Sequence, residues 1–118
     1  MRTLTEIDLN LAITVDSDVL LNAKAVQVLC TNVSGTSDGT IALHGSLDGT
    51  IWTLLNFVGA TNGTSSPIAS HTGADLNQVT IVDGLVASWN IDTAFKYTKL
   101  VCVGTAGDRT TITGNWAK

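Results

Sequence analysis

SDGTIALHGSLDGTIWTLL, residues Ser37 to Leu55, states nearly the same phrase twice: Asp38-Gly39-Thr40-Ile41 returns as Asp48-Gly49-Thr50-Ile51. Asp-Gly supplies the positive φ of a tight hairpin turn at low steric cost. Two such turns one short strand apart predict a β-meander. Between them Thr40 to Ser46 alternates, with Ile41 and Leu43 on one face and Ala42 and His44 on the other. After the second copy, Trp52 and Leu54 share one face while Ile51, Thr53 and Leu55 share the other. Apolar groups on both faces predict a strand covered on both sides.

The same grammar runs outward along the chain. Short runs of Val, Ile, Thr and Leu are punctuated by Gly, Asn, Asp and Ser, and no long stretch carries helical periodicity. The expected strands are Ile7 to Val15, Ala25 to Val33, Thr40 to Gly45, Ile51 to Val58, Gln78 to Val82, Val86 to Ile91, Tyr97 to Val103 and Thr110 to Trp116. That pattern predicts an all-β fold: an antiparallel, jelly-roll-like β-sandwich of about eight strands, with residues 1–118 as a single domain. Gly59 to Asp75, which holds the only proline, Pro67, is the longest loop-like stretch. Thr105-Ala106-Gly107-Asp108 is a turn between the last two strands.

Hydrophobic residues at 44% are enough for a real core, while charged residues are only 14%. A chain so poor in charge is expected to hide part of its outside against copies of itself or a partner. Its net charge of −4 argues against binding nucleic acid, which needs a basic stripe. No signal peptide and no membrane-length apolar run is visible, so synthesis in a cytoplasm is expected. Cys30 and Cys102 lie inside apolar runs, and without a secretory leader they read as buried thiols rather than as a disulfide.

Few residues invite chemistry. Asp16-Ser17-Asp18 is the densest acidic spot, but Val19-Leu20-Leu21 follows where a calcium loop needs further oxygens, so a solvated turn is the better reading. Glu6 is the only glutamate, which leaves little for a paired-carboxylate site. His44 and His71 are the only histidines and neither is near a cysteine in sequence, so no metal site and no cofactor is expected. No nucleophile elbow or phosphate loop occurs, and the chain reads as a non-enzyme. Trp52 and Trp89 are expected in the core or an interface, and Trp116 is a candidate inter-subunit anchor.

Two stretches carry a likeness. Gly45-Ser46-Leu47-Asp48-Gly49-Thr50-Ile51-Trp52-Thr53-Leu54-Leu55 resembles the S-x-D-G-x-x-W-x-x-L signature of discoidin-like sandwiches. Phe95-Lys96-Tyr97-Thr98-Lys99-Leu100 is similar to a later strand of the same family. The likeness implies a fold, not a ligand site, because in that family these residues hold the sandwich together. The terminal cysteine pair of the family is missing here. The tandem Asp-Gly phrase, the F-K-Y-x-K-L strand and the Gly104-Thr105-Ala106-Gly107 turn also resemble small virion proteins of tailed phages, of the capsid decoration (cement) or head- and tail-fibre type.

That resemblance implies a structural virion protein that self-associates, as a trimer or dimer, and stabilises or decorates a capsid by contacts with the major capsid protein or another virion protein. No nucleic-acid or membrane partner is expected. Terminal strands often pair across subunits, which makes Leu9, Leu11, Ile112 and Trp116 the candidate interface residues. The alternative is a carbohydrate-binding jelly-roll module of a fibre or receptor-binding protein. Its candidate ligand site is a tip formed by Asp38, His44, Asp48 and His71 with the Gly59 to Asp75 loop.

Overall fold

A computed structural model of the chain describes residues 1–10, 12–34, 39–58, 68–70, 78–81, 83–91, 94–105 and 109–118. Among the described residues thirteen strands follow one another: β1 (Arg2–Thr3), β2 (Ile7–Asn10), β3 (Thr14–Asp16), β4 (Leu20–Leu21), β5 (Ala25–Ser34), β6 (Thr40–Ser46), β7 (Thr53–Leu54), β8 (Asn56–Val58), β9 (Ile68–Ser70), β10 (Val79–Thr80), β11 (Val86–Ile91), β12 (Tyr97–Val103) and β13 (Arg109–Ala117). There is no helix among the described residues.

The strands form two sheets, and the expected sandwich is what the chain makes. One sheet has seven strands in the order β1-β13-β5-β11-β9-β8, with β2 also on β13. The other has six in the order β10-β6-β12-β3, with β4 on β12 and β7 on β6. Among the described residues all pairings are antiparallel except β11 with β9. The chain passes between sheets from β5 to β6, from β11 to β12 and from β12 to β13, the crossing habit of jelly-roll sandwiches.

Strand alternation sets the core. Val26, Val28 and Cys30 of β5, Ala87, Trp89 and Ile91 of β11 and Ile112 of β13 point inward from the seven-stranded sheet. Ile41 and Leu43 of β6 meet them with Leu100 and Cys102 of β12, all fully buried. Trp89 is a core tryptophan with no exposed surface. Cys30 and Cys102 are free, buried thiols. Burial pushes Cys30 up to about 11; burial, then the neighbouring Cys30 and Asp16, push Cys102 up to about 12.

Two expected strands divide, and for one reason. Ile7 to Val15 splits into β2 in the larger sheet and β3 in the smaller. Ile51 to Val58 splits into β7 in the smaller sheet and β8 in the larger. Each segment rounds a corner of the sandwich, where one pairing partner must be exchanged for another. At the second corner Leu55 is fully buried, and its N–H donates to the Leu43 carbonyl at 2.9 Å. Leu55 is therefore apolar because it seals the corner. Ile51 belongs to the turn instead and is 72% exposed.

The paired Asp-Gly phrases also turn out to do different work. Gly49 has φ +80° and makes the expected turn. Gly39 is not in the left-handed region: it is buried, and a Cβ there would stand 2.9 Å from the Val103 carbonyl oxygen. Its role is close packing, with its carbonyl accepting from the Ile81 N–H at 2.8 Å. Gly84, φ +75°, in the Asp83-Gly84 turn before β11, is left-handed too.

The last strand is interior. β13 is flanked by β5 on one side and by β1 and β2 on the other, so it offers no free edge to a neighbouring subunit. At Gly114 the backbones of β13 and β5 come so close that a Cβ would overlap the Gln27 carbonyl oxygen. At Gly45 a Cβ would meet the Phe95 ring at 2.8 Å.

Two expectations follow. Gly114→Ala presses on backbone and should cost about 2–3 kcal/mol, whereas Gly45→Ala presses on a side chain that can shift and should cost about 1 kcal/mol; chemical denaturation checks the order. The thiols should resist alkylation at mildly alkaline pH until the protein unfolds, and reductant should leave the thermal midpoint unchanged.

Candidate functional site

The outer face of the six-stranded sheet gathers a group of interacting polar and aromatic side chains. Register places His44 of β6 opposite Lys99 of β12 on one side and Leu54 of β7 on the other. The Lys99 ammonium lies 2.8 Å from Asp16 Oδ2 and 4.4 Å from the centre of the Trp52 ring. Trp52 is half-buried under this cation, a cation–π contact that replaces part of the lost hydration of the ammonium.

His44 answers to these neighbours. Burial holds its pKa below the ordinary histidine value, Lys99 lowers it further, and Asp16 partly offsets both. The imidazole is thus neutral at pH 7. Lys99 is already paired, and no group of three or more potential metal ligands exists among the described residues. As a chemical arrangement this is a charge-neutral, partly apolar contact surface.

Asp48 is occupied by the turn it builds. Its Oδ1 accepts from the Thr50 N–H at 2.8 Å, the Ile51 N–H at 2.9 Å and the Ser46 hydroxyl at 3.0 Å. Those bonds, led by the one from Ile51, hold its carboxyl below the usual range. The Ser46 hydroxyl in turn accepts from the Gly49 N–H at 2.9 Å. This lattice explains why the sequence spells Ser-x-Asp-Gly: each oxygen closes a loop of the hairpin. It also raises Leu47 and Ile51 into the open, 70% and 72% exposed, beside a hollow of about 250 Å³ that reaches Phe95.

The acidic triplet is similarly committed. Asp16 holds Lys99, the Ser17 hydroxyl accepts from the Leu100 N–H at 2.8 Å, and Asp18 Oδ2 accepts from the Thr5 N–H at 3.0 Å. Asp18 is lowered in pKa by its bonds from Thr5.

The other expected site residues scatter. Leu9 and Ile112 are 2% and 1% exposed and belong to the core between the sheets, so a surface contact cannot reach them. Their placement follows from β13 being an interior strand. Trp116 is half-buried against the core, with the Arg2 guanidinium carbon 5.4 Å over its ring. Leu11, Asp38 and His71 lie outside the described residues, as does most of the loop from 59 to 75. Of the tip residues proposed as a ligand site, His44 and Asp48 are described; they lie on the same strand and turn, but Asp48 is engaged locally. Trp52, Lys99 and Asp16 were not expected together, because Lys99 and Asp16 are 83 positions apart and only the β12–β3 pairing unites them.

No protein-family model and no curated protein matches this sequence.

The depressed pKa of His44 has a definite sign. The unfolded chain binds the proton more readily, so the stability conferred by neutral His44 is complete above the ordinary value of 6.5 and is lost as pH falls from there through the lower folded-state value. Denaturation midpoints should drop as pH falls below the ordinary histidine value in the parent and drop less in His44→Asn, with any effect of His71 common to both.

Proposed function

We propose that this chain is a structural protein of a tailed-phage particle, which self-associates as a trimer or dimer and decorates or stabilises the shell. The observation that carries the reading is the apolar surface on the six-stranded side of the sandwich. Leu47 and Ile51 project from the hairpin tip, and Leu21, Leu54 and Val103 are 38%, 38% and 40% exposed on the outer face of the same sheet. Register sets them on one face: Leu21 lies opposite Tyr97, Leu54 opposite His44 and Val103 opposite Thr40. The Lys99–Asp16 pair between them is neutral as a unit.

Such a face gains by leaving water at roughly 25 cal/mol per Å² of apolar area, before the costs of association. The low content of charge in the whole chain supports the same reading, and so does the likeness to phage virion proteins in the tandem Asp-Gly phrase and the F-K-Y-x-K-L strand. The hairpin tip carries no catalytic arrangement in this reading: its hydrogen bonds serve to hold two apolar side chains outward.

Light scattering at micromolar concentration should give a dimer or trimer mass. Leu47→Asp combined with Ile51→Asp should shift the protein toward monomer while leaving the thermal midpoint nearly unchanged, since both side chains are exposed in the single chain. A parent protein that stays monomeric over the whole accessible concentration range would overturn self-association.

A further inference from the structure

The outer face of the seven-stranded sheet has a different chemistry. Register aligns Thr3 of β1, Asn115 of β13, Gln27 of β5 and Ser88 of β11 in one row across four strands. On one side of this row Leu29 stands between Thr113 and Val86; on the other Ala25 stands between Ala117 and Asn90. None of these positions carries a charge.

The row divides two hollows. One, of about 500 Å³, runs over Leu29 and Val86 and has Glu6 as its single charged side chain. The other, of about 170 Å³, lies over the small side chains of Ala25 and Ala117, beside Met1, Ser88 and Asn90. Gln27 and Asn115 line both.

We propose that this face binds a neutral oligosaccharide laid across the Asn115–Gln27 row, with successive sugar rings in the two hollows. A primary amide presents a donor and an acceptor side by side, which matches a pair of adjacent sugar hydroxyls. Leu29 and Val86 offer an apolar floor to the C–H face of one ring, and the small side chains of Ala25 and Ala117 leave room for the next. A row without charge neither attracts nor repays the desolvation of an ionised ligand, which selects neutral sugars over sialylated or sulfated ones. The size of the larger hollow falls within the range of small-ligand sites. This face lies on the opposite side of the sandwich from the apolar surface, so sugar binding and self-association are separable.

The test uses the full chain on a printed array holding neutral hexose and N-acetylhexosamine oligosaccharides beside sialylated and sulfated ones. Binding should be confined to neutral chains and indifferent to salt. Asn115→Ala and Gln27→Ala should each weaken it by about tenfold or more, and Gln27→Glu should do so without loss of volume. Leu47→Asp with Ile51→Asp should keep sugar binding even where it abolishes self-association, so the two proposals fail separately. Thermal melting of each variant reports folding. The proposal is overturned by an array without neutral binders, by preference for acidic sugars, by binding that survives in properly folded Gln27→Ala and Asn115→Ala, or by a self-associated form in which hydrogen exchange finds this face covered by a second copy.

Discussion

The ladder between β6 and β12 is the constraint on which the rest depends. It runs without a break through seven residue pairs, from Tyr97 opposite Ser46 to Val103 opposite Thr40. Because side chains alternate, this one register decides both faces together. It sends Ile41, Leu43, Leu100 and Cys102 into the core, and it leaves His44, Lys99, Val101 and Val103 outside. A slip of one residue would bury Lys99 and expose Leu100. Gly45, set in the same ladder, leaves the space that the Phe95 ring fills. Turn, corner and surface on this side of the molecule all inherit their positions from that pairing.

The second constraint is the interior position of β13. A carboxy-terminal strand is easily imagined as an edge, and the Thr-rich run from Thr110 to Trp116 has the look of one. Pairing on both sides removes that freedom and converts Ile112 into a core residue. Glycine at 114 is what lets the strand sit so near β5. The two outer faces that result are unlike each other: one has exposed leucine, isoleucine and valine around a neutralised ion pair, the other has amides and hydroxyls in rows.

Much of this was legible from residue order. Val86–Ile91 and Tyr97–Val103 have the limits that alternation and turn residues assign them, because both are straight strands inside a sheet. Strands that round a corner were read as single segments, since Leu55 alternates correctly for a strand it does not continue. The two Asp-Gly phrases look alike on paper, yet only Gly49 adopts the left-handed conformation; Gly39 is fixed by what packs against it, and local sequence does not encode that. The same limit applied to the surface. His44 was identifiable as an outward residue, whereas its placement beside Lys99, and the association of Lys99 with Asp16 and Trp52, needed long-range pairing to appear.

Among the described residues the margins of both sheets are short. β1, β3, β8 and β10 are two or three residues long, and β2, which shares the β13 flank with β1, is four. A row of open backbone donors and acceptors that brief gives an incoming chain little to zip onto. Growth by adding ribbon to ribbon, the route to endless fibrils, is thereby discouraged along these margins.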